Sequence, residues 1–185
     1  NIAYIGINNH EIDLIAPFIE ALKCENVKNS YRLILYGNTI SNEKWNQLGL
    51  SEIAEYRGWL DYSKDVSTLK DIDVFLQLLD DNNVSKAGWP NKLGDYLAFG
   101  KPVILSPYGD IIDFVKNEKG FFIVEYNKYS ILKILQEIKD IPYSDLKTMG
   151  YANRQLAEKI SWKNRAKNIE YICNKIRFNN ETVKN

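Results

Sequence analysis

Apolar runs and amphipathic stretches alternate along most of the chain. IAYIGI (2–7), YRLILYG (31–37), IAEYRGWL (53–60), DIDVFLQLL (71–79), KPVILS (101–106) and GFFIVEY (120–126) are short hydrophobic runs, most of them bounded by glycine or polar turn residues. Each reads as a buried strand. EIDLIAPFIEALK (11–23) sets Ile12, Ile15, Ala16, Ile19 and Leu22 on one helical face, with Pro17 placed to kink it. SNEKWNQLG (41–49) reads as a short helix with Ser41 as its cap and Gly49 as its stop. Further helices are expected at 61–70, 110–117, 128–139, 144–158 and 162–178, and a polar loop, DDNNVSKAG, at 80–88. Residues 179–185 read as a frayed tail.

The strands are continuous apolar runs, not alternating ones, which predicts a sheet buried on both faces. The expected fold is α/β: a Rossmann-like three-layer sandwich with a six-stranded, mostly parallel sheet and C-terminal helices, one domain over 1–178. Ligands of such sheets bind beyond the carboxyl ends of the strands. The loops that follow Ile7, Tyr36, Arg57, Leu79 and Ser106 are therefore the ones to watch.

Composition narrows the field. The 185 residues carry 24 basic and 24 acidic side chains, so no net charge favours nucleic acid. No apolar run approaches the ~20 residues of a membrane span. Cys24 and Cys173 are isolated and match no metal or redox spacing, which fits a reduced, cytoplasmic setting. His10 is the only histidine, so a His-rich metal site cannot be assembled within the chain. Asp80-Asp81-Asn82 reads as a polar turn in preference to a magnesium site. Opening on Asn1 directly into a strand, with no visible signal peptide, fits an excised domain.

One segment carries most of the chemistry: GWPNKLGDYLAFGKPVI, Gly88 to Ile104. Pro90 suits a first helical position, Gly100 suits the stop, and Pro102 prevents continuation. Leu93, Tyr96 and Leu97 share the face expected on the sheet, while Asn91, Asp95 and Ala98 share the opposite one. Gly94 costs about 1 kcal/mol against alanine there, which makes sense where something approaches the backbone closely. A helix starting after a strand aims its free N–H groups into the crevice, as an anion site does. Lys92 adds a cation in the first turn, and Asp95 is placed to accept from two vicinal hydroxyls. Taken singly, Asp95 reads equally as a solvated helix carboxylate, Lys92 as a surface lysine and Gly88 as a turn.

This segment resembles the signature of the C-terminal, donor-binding half of GT-B glycosyltransferases, nearest to retaining family 4. That family shows a glutamate, a Gly-aromatic pair, and a second glutamate at the spacing that separates Ala87 from Asp95. Gly88-Trp89 matches the pair, Asp95 stands at the second acid, Pro90 and Lys92 match a Pro-x-Lys variant, and Phe99 to Val103 matches the lead into the next strand. AYIGI, YRLILYG, EYRGWL and ISWKNRAKNI resemble further family segments in the same order, so nearly all of the chain is covered.

The resemblance implies a nucleotide-diphosphate sugar as donor substrate, with no cofactor and no catalytic metal. Asp95 is implied to bind ribose, and Gly88, Trp89, Pro90 and Asn91 to face the diphosphate and sugar. Trp59 and Leu60 are implied to lie near the base, and Gly6, Asn8, Asn9 and His10 against the phosphates. The partner is the acceptor-binding N-terminal half of the same protein, expected upstream of this chain. The activity is transfer to a glycan or lipid-linked acceptor in surface polysaccharide biosynthesis, at the inner face of the cell membrane. Lys163, Arg165, Lys167, Lys175 and Arg177 read either as a solvated face or as a peripheral membrane contact.

Departures from the family pattern keep other readings open. Ala87 replaces the first acid, and Ile7 to Glu11 offer neither the arginine nor the lysine usual after the first strand. Lys92 or Lys86 could supply the missing charge. A non-catalytic nucleotide-binding or assembly domain, or a sugar-nucleotide enzyme such as an epimerase, is compatible with the same sequence.

Overall fold

The apolar runs form the sheet. The structure, a computed structural model, describes residues 1–106 and 108–182. Its strands are β1 (Ile2–Ile7), β2 (Leu33–Gly37), β3 (Ala54–Tyr56), β4 (Val74–Gln77), β5 (Val103–Leu105) and β6 (Phe121–Ile123). They lie in the order β3-β2-β1-β4-β5-β6, and every pair is parallel. The expected fold therefore holds, and the sheet is parallel throughout.

Burial on both faces explains the continuous apolar runs. Successive residues feed opposite layers: Ile2 and Tyr4 of β1 join Leu33, Leu35, Val74 and Ile104 on one side, while Ala3 and Ile5 join Ile34, Phe75, Val103 and Leu105 on the other. Helices α1 (Glu11–Leu14), α2 (Ala16–Leu22) and α7 (Lys128–Lys139) cover the first side through Ile12, Ile19, Ile131 and Leu135. Helices α5 (Asn91–Ala98), α6 (Asp110–Val115) and α8 (Tyr143–Lys159) cover the second through Leu93, Tyr96, Ile111 and Leu156.

Several elements differ from the pattern-based expectation. The 11–23 segment breaks at Ile15 into α1 and α2, because Pro17 in the first turn of α2 starts a new helix and does not kink an old one. The 61–70 segment is not a helix: a 3₁₀ turn at Val66–Leu69 is its only helical part, and only Leu69 of that turn is buried. The 80–88 loop contains α4 (Asn83–Ala87), capped by Asn82 Oδ1 accepting from Ser85 N at 2.8 Å. Helix α3 (Asn42–Gln47) is capped by Ser41 as expected, with Gly49 left-handed beyond it.

The last helix, α9 (Trp162–Thr182), continues into the expected tail, whose residues 183–185 lie outside the described ones. Lys163, Arg165, Lys167 and Lys175 are exposed along α9; the side chain of Arg177 lies outside the described residues. Among the described residues, no helix is long and apolar enough to cross a membrane.

Candidate functional site

The strand order reverses between the central strands β1 and β4: it proceeds outward from β1 to β3 on one side and from β4 to β6 on the other. Open α/β sheets leave a crevice at such a point, at the carboxyl ends of the strands. Helix α5 follows β4 through the α4 turn and is set over this crevice. Its inner face is held firmly. Leu93, Tyr96 and Leu97 are fully buried, the Tyr96 ring stacks on Phe75 with centroids 4.3 Å apart, and its hydroxyl accepts from Ile5 N at 3.0 Å. Asn91, Asp95 and Ala98 face solvent, as the helical period predicts. Pro90 is the N-cap and not the first helical residue, and no side chain caps α5. Leu93 N donates to Pro90 O at 3.0 Å, which leaves the N–H groups of Asn91 and Lys92 for another acceptor.

Lys92 does not extend into solvent. Its side chain crosses the end of β1 over Gly6, from the α5 face of the sheet to the opposite one. There the ammonium donates to Glu11 Oε2 and, at 3.0 Å, to the Tyr4 hydroxyl, and lies 4.6 Å from the centre of the Tyr4 ring. Tyr4 donates to the same Glu11 oxygen. Burial, and then Glu11, raise the Tyr4 phenol well above the ordinary tyrosine range. A glycine suits the crossing. Gly6 has φ +84°, and a Cβ there would lie 2.9 Å from Lys92 Cε. Gly6 was expected to lie against the phosphates; here Lys92 lies against it.

Asp95 meets the loop that follows β3. Gly58 turns that loop with φ +78° and open space around it. The Leu60 side chain is buried in the core beside Leu93, so only its backbone remains for a ligand, whereas Trp59 is largely exposed. Tyr62 then reaches back to donate to Asp95 Oδ2 at 3.1 Å, with its ring stacked near Phe99. A Cβ on Gly94 would touch nothing within 4 Å. Gly94 opens onto a groove of about 520 Å³ lined also by Trp89, Asn91, Asp95, Trp162 and Arg165.

The remaining expected site residues are less available. Asn8 Oδ1 accepts from the backbone N–H groups of His10 and Glu11, each at 2.9 Å, and so caps α1. Asn9 Oδ1 accepts from Ser41 N at 2.8 Å, tying its loop to the one after β2. His10 is exposed, and its side chain makes no cap to α1. Gly88 ends α4, and Trp89 packs edge-on against Phe114 at 4.8 Å. Asp80 and Asp81 are engaged locally, the first by Asn82 and Ser85, the second by Lys86 at 2.5 Å.

The structure thus sets Lys92 over Gly6 and Asp95 against Tyr62 in the loop after β3, ties Asn9 to the loop after β2, and buries the Leu60 side chain. Reasoning from sequence missed Tyr4, Tyr62 and the pairing role of Glu11. Tyr62 was hidden by the expected helix at 61–70. The Tyr4–Glu11 pair had a weak signal, a tyrosine inside a strand followed by an acid in the next first turn.

The fold is a Rossmann-like α/β domain, the class found in one half of GT-B proteins. Residues 1–140 match the family described as glycosyl transferases group 1, and the chain belongs to that family. No match was found among curated proteins. Among solved structures, the chain is similar to sucrose-phosphate synthase from Thermosynechococcus elongatus, with TM-score 0.69 and 15% identity over 95% of this chain and 45% of that one. It is similar to Anabaena Alr3699/HepE in complex with UDP, with TM-score 0.64 and 14% identity over 85% and 44% of the two chains. It also resembles the C-terminal domain of the glycosyl transferase group 1 family protein LpcC from Francisella tularensis, with TM-score 0.60 and 15% identity over 86% and 84%. The chain spans a little under half the length of the first two.

Proposed function

We propose that this chain is the C-terminal, donor-binding half of a retaining glycosyltransferase. It would move a sugar from a nucleotide-diphosphate sugar to a glycan or lipid-linked acceptor in surface polysaccharide biosynthesis, on the cytoplasmic side of the membrane. One observation carries the reading: α5 starts without a side-chain cap, its Lys92 lies over Gly6 near the end of β1, and its Asp95 accepts from Tyr62 in the loop after β3. In the transfer, the bond between the sugar and its phosphate breaks, and negative charge grows on the leaving diphosphate. Oriented N–H groups and an ammonium stabilise such charge. Asp95 accepts from the ribose, and Trp59 with the Gly58 backbone borders the base. No cofactor is needed beyond the donor substrate. HepE, of the same fold, is a UDP complex, which supports a nucleotide in this crevice.

The acceptor half belongs elsewhere in the protein, so this chain alone should bind the donor nucleotide weakly and transfer little. Titration of the chain with UDP, GDP and ADP is the test. Saturable binding of one of them supports the reading, and no binding of any at millimolar concentration sinks it. Ala87 and the occupied state of Lys92 favour a second reading, a nucleotide-binding or assembly domain without catalysis. The two separate on activity when the chain is joined to its acceptor half.

A further inference from the structure

We propose that Glu11 is a specificity-setting counter-ion: it holds the Lys92 ammonium across Gly6, and an arriving diphosphate must share that ammonium with it. The inference rests on the donor reading and adds a residue and a consequence that the reading lacks. Lys92 and Glu11 are 26% and 28% exposed, so water, and hence a soluble anion, reaches both. A pair this open contributes little to stability. Yet the geometry around it is demanding, with a left-handed glycine, a crossing from one face of the sheet to the other, and a buried tyrosine donating to the same carboxylate oxygen. That arrangement fixes where the cation sits.

The consequence is a matter of charge. Without Glu11, the α5 start and Lys92 would attract any phosphate. With it, the local charge is balanced, and an anion gains the ammonium only while also meeting a carboxylate at close range. Bare phosphate groups are therefore held poorly. Affinity depends on the contacts that only a nucleotide makes, at Asp95 and in the loop after β3. Glu11 is a positioning residue on this account, because it acts on the donor through Lys92.

The prediction is a graded gain on neutralisation. Glu11→Gln keeps a hydrogen-bonding oxygen for Tyr4 and Lys92 and removes the charge. It should tighten binding of pyrophosphate and of the preferred nucleoside diphosphate by roughly three- to tenfold at low salt, the monophosphate less, and the nucleoside not at all. Lys92→Gln leaves Glu11 unpaired and should weaken the diphosphate by roughly tenfold or more, again without effect on the nucleoside. Calorimetric titration of wild type and both variants, each checked for folding by circular dichroism, decides. A folded Glu11→Gln that binds diphosphate no more tightly than wild type overturns the proposal while leaving the donor reading intact. An equal change for nucleoside and diphosphate overturns it too, as a merely structural effect would do that. If Glu11→Gln fails to fold, the Lys92→Gln series decides: loss graded with phosphate charge supports the site, and uniform loss overturns it. Wild type that binds no nucleoside diphosphate at all removes the donor reading and the proposal with it.

Discussion

The hydroxyl of Tyr62 donates to Asp95 Oδ2 across 3.1 Å, so one oxygen of the carboxylate that α5 turns to solvent already accepts from the protein. A ribose that offers its two hydroxyls to Asp95 would need both oxygens. Tyr62 would then share Oδ2 with a ribose hydroxyl or compete with it. Asp95→Ala removes a charged acceptor and should weaken nucleoside diphosphate binding roughly 10- to 100-fold, with the thermal midpoint little changed. Tyr62→Phe removes the competitor and should leave affinity equal or higher. Unchanged affinity in Asp95→Ala would show that the ribose lies elsewhere, and a large loss in Tyr62→Phe would make the phenol a direct contact.

The same contact has a signature in alkali. Burial first, and then the Asp95 carboxylate, push the Tyr62 phenol up to about 12. In the unfolded chain it titrates near its ordinary value of about 10. The folded state therefore holds this proton more tightly. The stability involved is fully present below about pH 10 and is lost as pH rises from there through about 12. A tyrosinate absorbance titration of wild type minus Tyr62→Phe should show one phenol with a midpoint near 12. Saturating nucleotide should move it back toward the ordinary value. A difference midpoint already at the ordinary value without ligand would rule out the contact in solution.

Tyr96 sets the register between α5 and β1. Its hydroxyl is the acceptor for Ile5 N inside a fully buried layer, with its ring stacked on Phe75. Tyr96→Phe keeps the stacking and leaves a buried N–H without a partner. The expected cost is about 1–3 kcal/mol, read as a fall in thermal midpoint of roughly 2–10 °C. A midpoint within error of wild type would mean that water reaches Ile5 N.

Much of this was legible in the sequence because its signals are local. Runs such as IAYIGI have a single use in a domain this size, a strand covered on both faces, and six of them interleaved with helices specify the layers. The inner face of α5 followed from period alone. The site was legible only in part, since its side chains find partners far along the chain. Lys92 lies 81 residues from Glu11, and Asp95 lies 33 from Tyr62. No periodicity announces such pairs. The 61–70 segment shows the opposite failure: its residues suit a helix, but with one buried residue in its 3₁₀ turn there was no face to stabilise one.

Two glycines make opposite predictions. Gly150 of α8 faces the backbone where α5 ends, and an added Cβ would overlap the Gly100 carbonyl oxygen and lie 3.2 Å from Lys101 Cα. Neither atom can give way easily. One turn on, Asn153 Nδ2 donates to Lys101 O and Gly120 O at 2.8 Å each, so moving α8 to make room would break these bonds as well. Gly150→Ala should cost about 2–4 kcal/mol. Gly94 has open space where its Cβ would go, and alanine there should stabilise the helix by about 1 kcal/mol. If the groove beside Gly94 admits the donor, that gain comes with weaker nucleotide binding. Melting and titration of the Gly94→Ala chain measure both at once. Greater stability with undiminished affinity would mean that the donor does not approach α5 along this face, and that Gly94 serves no ligand.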